Sequence, residues 1–410
     1  YKQNSLMKYR RGFFNIENVD IKNISKKVGT PSYIYSYKMI KNNIGNFKKN
    51  FKSINPLICF SVKSNSNTKI LNIMGKSGLG ADVVSSGELV KALKAGINPK
   101  KIVFSGIGKT PLELEMAVKK KILLINVESD NEIVEIEKIA KNLKVKIKIG
   151  IRLNPDTDAK TLSKISTGKK ENKFGISKKL CLKIIKKYKN SKFVNICCVS
   201  VHIGSQILSN GPYEKMLKVT KKLIRQSNHK FEYIDLGGGM GIQYDIKDKK
   251  FNYRKYCNSI IKIFDCNKTK IIFEPGRSII GNAGVLISKV IYLKETKNKN
   301  FVVMDAAMND FMRPALYGAK HQIIPYIKGT KHLVKKHEFV GPICETSDKF
   351  LILSKFKELK QKEILIILDT GAYGMTLASN YNLRPLPAEV LVNGNKFKII
   401  KNRQRLSDII

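Results

Sequence analysis

Between residues 37 and 281 short β-branched, apolar runs alternate with segments whose apolar positions recur every three or four residues. The runs at 57–62, 80–84, 101–105, 122–126, 145–151, 195–203, 232–236 and 270–274 predict strands. Between them, residues 69–76, 87–95, 111–119, 131–141, 178–187, 213–226 and 253–264 carry the helical period. Thr68, Ser86 and Thr110 precede three of these segments as fitting caps, and Pro111 stands at a first helical position, where its missing N–H costs nothing. Eight strand units, each but the last followed by a helix, are the count of a (β/α)8 barrel, the TIM-barrel architecture. An open, doubly wound sheet would show a similar alternation, so the count alone does not decide.

Past residue 281 the helical period fades. Residues 284–293, 301–305, 332–340, 363–369 and 388–392 read as strands with only short helical stretches between them. The expectation is an α/β protein: a barrel over 37–281, and a second, mostly antiparallel β domain built from 1–36 and 282–410. The strand-like segments 9–16 and 32–36 are expected to join that second sheet. A chain of 410 residues agrees with two domains.

Composition adds little until charge is counted. A hydrophobic fraction of 42% can fill a sizeable core, and 27% charged residues is ordinary. No run of 18 apolar residues occurs, so no membrane-spanning helix is expected. Residues 1–14 are basic without an apolar stretch or a small-residue cleavage site, and no secretory signal is expected there. Seven cysteines, Cys59, Cys181, Cys197, Cys198, Cys257, Cys266 and Cys344, include no C-x-x-C pair; they argue against a disulfide framework or a zinc site and suit a reducing cytoplasm. The net charge is +45. Clustered basic charge is the footprint of a nucleic-acid binder, but here lysine is spread along the whole chain with no basic tail and no aromatic reading motif. The expectation is a solvated lysine surface and no nucleic-acid partner.

Barrel enzymes build their sites at the carboxyl ends of the strands. Lys63 follows the first strand in Phe60-Ser61-Val62-Lys63-Ser64-Asn65. By number alone it would be one more surface lysine; directly after an apolar strand, it can condense with a carbonyl as a Schiff base. His202-Ile203-Gly204-Ser205-Gln206 follows the sixth strand, Asp235-Leu236-Gly237-Gly238-Gly239 the seventh, and Glu274-Pro275-Gly276-Arg277 the eighth. Glycines there let backbone amides approach a phosphate, and the loops after strands seven and eight are the usual phosphate site of such barrels. The run lacks the spacing of a dinucleotide fingerprint, and Gly108-Lys109-Thr110 lacks the first glycine of a phosphate-binding P-loop. Taken singly, His202 reads as a satisfied core histidine and Glu274 as half of a structural ion pair. On one rim with a lysine and a phosphate cradle, they suit pyridoxal 5′-phosphate, with Glu274 at the ring nitrogen and His202 stacked on the ring.

These motifs resemble the meso-diaminopimelate decarboxylase family, pyridoxal-phosphate enzymes of the alanine-racemase-like barrel class. The resemblance runs from Val28-Gly29-Thr30-Pro31 to Glu389-Val390-Leu391-Val392 and includes Arg313-Pro314-Ala315-Leu316-Tyr317, Gly341-Pro342-Ile343-Cys344-Glu345 and Gly371-Ala372-Tyr373-Gly374. It implies decarboxylation of meso-2,6-diaminopimelate to L-lysine, the last step of lysine biosynthesis. It implies that Lys63 holds the cofactor, with Asp82, His202, Ser205, Gly237, Gly238, Gly239, Glu274, Pro275, Gly276, Arg277 and Tyr373 around it. Arg277, Arg313, Tyr317 and Tyr373 would bind substrate, Glu345 would pair with its distal ammonium, and Cys344 would return a proton. In the family Cys344 and Glu345 reach the neighbouring subunit's site, which implies a cytoplasmic homodimer. No metal is implied.

The chain departs from the family pattern at Thr161-Leu162-Ser163-Lys164, at Ala307 where glycine is common, and at Lys320 where an aromatic is common. The first of these is expected to alter contacts at the rim. The nearest rival reading is a related decarboxylase of ornithine, arginine or carboxynorspermidine. A diamino-diacid needs both signs of charge at its far end, which Arg313 and Glu345 supply, whereas ornithine-type relatives carry an aspartate after the cysteine.

Overall fold

A computed structural model describes residues 5–159, 167–169, 171–329 and 332–410. The departure at Thr161, Leu162, Ser163 and Lys164 lies outside the described residues. The chain forms two compact units: Ile44–Ile242 with Lys249–Ser278, and Tyr1–Asn43 with Gln243–Asp248 and Ile279–Ile410.

In the first unit eight parallel strands close into a barrel. In chain order they are Leu57–Ser61, Gly80–Val83, Ile102–Phe104, Leu124–Val127, Ile147–Arg152, Val194–Ser200, Tyr233–Asp235 and Lys270–Phe273. The eighth closes on the first through Ile272↔Leu57 and Phe273↔Ile58. Closure excludes the open doubly wound sheet. Cys59, Val103, Leu124, Cys198 and Ile272 form one buried apolar cluster. Two residues further along their strands stand Ser61, Ser105, Asn126 and Glu274, all buried and polar. Side chains on a strand repeat every second residue, so the barrel interior changes from an apolar plug to a polar layer towards the strands' carboxyl ends.

Helices follow the first seven strands, and side-chain caps fix the starts of all of them except Gly211–Ser227. Asn67, rather than Thr68, caps Thr68–Lys76 by accepting from Lys69 N; Ser85, rather than Ser86, caps Ser86–Lys94. In both, a polar residue one position earlier takes the extended backbone that a cap requires. Thr110 caps Pro111–Lys119 in a reciprocal capping box with Glu113.

In the second unit, strand Ser32–Ser36 lies between Gly284–Glu295, to which it runs antiparallel, and Ala388–Asn393, to which it runs parallel. Lys299–Met304 pairs antiparallel with Gly284–Glu295 and parallel with Lys336–Val340, so the sheet is mostly but not wholly antiparallel. Residues 9–16 do not join it: Met7–Arg10, Phe13–Ile16 and Val19–Asp20 form a three-stranded sheet of their own. The single strand expected at 332–340 is two, His332–Leu333 and Lys336–Val340. Lys349–Leu353 and Lys396–Lys401 are strands that the sequence pattern did not signal. Among the described residues no helix is long and apolar enough to cross a membrane.

Candidate active site

Lys63 sits in a single 3-10 turn, Val62–Ser64, that ends the first barrel strand. The turn lifts its side chain out of the packed interior, leaving it 38% exposed, while its Nζ lies 3.2 Å from Asp82 Oδ2. Asp82 is fully buried in the second strand, directly opposite Ser61. Ser61 Oγ lies 2.9 Å from Asp82 Oδ2 and 3.0 Å from Glu274 O, tying strands one, two and eight together beneath the lysine.

Across the same layer Ser105 Oγ is 3.4 Å from Glu274 Oε1, and Asn126 Nδ2 donates to Ser105 Oγ and to Asp235 Oδ2 at 3.0 Å. Gly237 N donates to Asp235 Oδ1 at 2.9 Å. Asn126 and Ser105 thus link the Asp235 and Glu274 carboxyls within one buried layer. Burial, then the charges of Asp235 and Asp82, push the Glu274 carboxyl well above the usual carboxylate range, against the weaker pull of Lys63. Burial likewise raises Asp235.

The loops after strands six, seven and eight pack too closely to admit side chains. A Cβ on Gly238 would lie 2.1 Å from Glu274 O, one on Gly239 2.2 Å from Gly204 O, and one on Gly276 2.9 Å from Ser64 Cβ. Gly239 also has φ +89°, which L side chains rarely adopt. Arg277 is buried and its Nη2 donates to Ser205 Oγ at 3.1 Å. Gly238 N donates to His202 Nδ1 at 3.2 Å, so the ring's proton belongs on Nε2. Burial, then the nearby charges of Lys63 and Arg152, hold His202 well below its ordinary pKa and therefore neutral. Thr167 donates from its backbone and hydroxyl to the carbonyls of Ile203 and His202.

The chemistry of this donor set fits pyridoxal 5′-phosphate. An amine stands ready for an aldehyde, a buried carboxyl driven towards its protonated state matches a basic ring nitrogen, and a neutral imidazole can lie against an aromatic face. A serine, a buried arginine and a side-chain-free turn suit a phosphate.

The second unit gathers a different set. Arg313 is buried in the short helix Arg313–Tyr317; its guanidinium lies 5.5 Å from the Tyr244 ring centroid and 5.9 Å from that of Tyr317. Its Nε donates to His321 Nε2 at 3.2 Å, while His321 Nδ1 donates to Leu368 O. Tyr373 has φ 55°, an unfavourable backbone for a bulky residue of the kind that persists where surrounding structure imposes it. Cys344 and Glu345 are exposed on a turn. Glu345 is bound by the Tyr381 hydroxyl and, at 2.8 Å, by Ser347 Oγ. Hydrogen bonding, first from Tyr381, lowers its pKa. Ala307 is buried with its N–H on Asp310 Oδ2, and Lys320 is exposed.

Several of these residues carry no individual signal in the sequence. Asp235 is legible only as the first residue of the glycine turn, and Asn126, Ser105, Arg152, Tyr244 and His321 carry no motif. Their one sequence trace is the polar residue that ends a strand on the same face as its apolar neighbours, as at Ser105 and Asn126.

Residues 37–281 match the family described as pyridoxal-dependent decarboxylase, pyridoxal binding domain. The chain is 41% identical to the diaminopimelate decarboxylase of Aquifex aeolicus over 99% of its length and 97% of that protein's. A crystal structure of diaminopimelate decarboxylase from Helicobacter pylori complexed with L-lysine superposes with a TM-score of 0.90 at 41% identity, covering 95% of this chain and 98% of that one. The diaminopimelate decarboxylase from M. jannaschii, in co-complex with L-lysine, gives 0.93 at 34% identity, covering 99% and 97%.

Proposed function

This chain belongs to the pyridoxal-dependent decarboxylases, among the diaminopimelate decarboxylases, and from that premise we propose that it converts meso-2,6-diaminopimelate to L-lysine and carbon dioxide, closing lysine biosynthesis. One observation of the geometry carries the reading: the Lys63 amine stands on Asp82 at a barrel mouth whose buried polar layer contains Glu274.

Bound at such a mouth, pyridoxal 5′-phosphate supplies an aldehyde that takes up amines and a protonated ring that accepts the electron pair left by departing carbon dioxide. The chain's own groups do the rest. Lys63 would hold the cofactor through its amine, the group that the substrate's amine would replace. Glu274 would keep a proton at the ring nitrogen, and His202, held neutral by burial, would lie against the ring without competing for that proton. Ser205, Arg277 and the turn Gly237-Gly238-Gly239 would hold the phosphate, with Pro275 and Gly276 shaping the approach. Arg313, fixed by His321, Tyr244 and Tyr317, presents a planar fork for the substrate's far carboxylate, which lysine or ornithine would lack. The resemblance assigns Tyr373 to cofactor and substrate as well, a role it would fill only with both bound.

We also propose that Cys344 and Glu345 serve the partner's site in a homodimer, Cys344 returning the proton and Glu345 pairing with the distal ammonium. Their exposure in the single chain supports that role. Seven free thiols suit the reducing cytoplasm.

The test is carbon dioxide release by purified protein offered meso-diaminopimelate or ornithine. Release from the diamino-diacid should exceed that from ornithine by at least about a hundredfold, since one paired charge lost is worth about 3 kcal/mol; the reverse order rejects the assignment. The Lys63→Ala variant should lose the visible absorbance of the bound cofactor, and an unchanged spectrum refutes its role. Mixing Lys63→Ala with Cys344→Ala should restore activity that neither has alone, because a mixed dimer rebuilds one intact site.

A further inference from the structure

We propose that Asp235 is a positioning residue that shares a single proton with Glu274, so that the pair, rather than Glu274 alone, sets the protonation of the cofactor's ring nitrogen. The inference rests on the reading above in which Glu274 meets that nitrogen.

Asp235 ends the seventh strand and Glu274 follows the eighth, in register through Asp235↔Ile272. Asp235 is fully buried and Glu274 nearly so. The two carboxyls lie in one buried layer and are linked through Asn126, which donates to Asp235 Oδ2 and to Ser105 Oγ, the latter 3.4 Å from Glu274 Oε1; burial raises both, and the charge of Asp235 raises Glu274 further. Asp235 is the better anion of the two. It accepts from Gly237 N at 2.9 Å and from Asn126 Nδ2 at 3.0 Å, whereas Glu274 Oε1 has Ser105 Oγ at 3.4 Å. Those donors hold the negative charge on Asp235 and leave the proton on Glu274, the member that faces outward to the cofactor.

The surroundings leave the pair short of positive charge. Lys63 is the cation that bears on Glu274, and its Nζ is engaged by Asp82, itself an anion facing both carboxyls. The other ionisable groups within reach, the Cys59 and Cys198 thiols and the Tyr256 hydroxyl, are buried and raised, hence neutral. Two adjoining carboxyls in such a place cannot both ionise and are expected to release their protons in two separated steps. A basic ring nitrogen bound there would take up the proton held by the pair, and the two carboxylates left behind would strengthen the nitrogen's hold on it.

Infrared titration of the full chain without cofactor tests the coupling directly. At pH 8, above the range where Glu88, Asp310 and Asp369 titrate, wild type minus Glu274→Gln should show one protonated carboxyl. In Asp235→Asn the Glu274 proton should leave at a pH lower by about one unit or more. An unmoved titration, or no band in the first difference, overturns the proposal. In the cofactor-loaded enzyme, Asp235→Asn should bring down the alkaline limb of kcat by about one pH unit, a tenfold loss on that limb, with KM little changed. A merely structural Asp235 would instead lower activity evenly across pH. Should Asp235→Asn fail to fold, Asn126→Ala offers the same test with opposite sign, because loss of that donor raises the pair's proton affinity. An infrared shift without carbon dioxide release would sink the decarboxylase reading and keep the dyad; release with an unmoved infrared titration would do the converse.

Discussion

Lys63, Glu274 and the glycines after strand seven are visible as residues because each breaks a local expectation: a lysine after an apolar strand, a carboxylate before proline and glycine, three glycines in a row. Asp235 breaks none, since an aspartate before a glycine turn is ordinary turn chemistry. Its part comes from the neighbour it meets across the barrel. The glycines also have a structural cost if replaced. Gly239→Ala places a methyl against Gly204 O in a backbone with positive φ. We expect a loss of about 1–3 kcal/mol in urea unfolding and weaker cofactor retention. Gly108→Ala, whose Cβ would meet nothing within 4 Å, is the neutral control.

Elements were legible where burial imposes a period. Each of the eight barrel strands overlaps its apolar run because a strand buried on both faces reads as a continuous apolar segment. Lys396–Lys401 escaped notice for the opposite reason: it is a strand with no buried residue, only Phe397 and Ile400 being half-covered, so no face is marked. The split of 332–340 follows a stretch in which exposed Leu333 and Val334 interrupt the alternation. Cap positions erred by one residue where two candidates stood in tandem, at Asn67-Thr68 and Ser85-Ser86, but not at Thr110, where Glu113 makes the reciprocal bond. Glu113 also accepts from Ser86 N at 2.9 Å, joining the starts of two barrel helices. Thr110→Ala should therefore cost about 1 kcal/mol in thermal or urea unfolding, with the helical circular dichroism otherwise preserved.

At the scale of the whole molecule, pH acts on stability through buried carboxyls as well as through the +45 charge. Burial pushes Asp369 up to about 7 from an ordinary 3.8. Its folded form prefers the proton, so its contribution to stability is full below about 3.8 and is lost as pH rises through about 7. Asp369→Asn removes that titration. Its stability relative to wild type should rise by more than 1 kcal/mol between pH 4 and 8, as about one pKa unit is worth 1.4 kcal/mol; a constant difference would show that Asp369 titrates normally. The chain's own order of residues determined the barrel, the change to a β-rich unit, and the amine and glycine turns at the strand ends, because each is written in a local period or a local exception to one. Tertiary structure alone decided that Asp82, Asp235 and Glu274 share one buried layer, and that His321 and two tyrosines fix Arg313. Those pairings join residues far apart in sequence, and their energies depend on burial and distance, which no local pattern records.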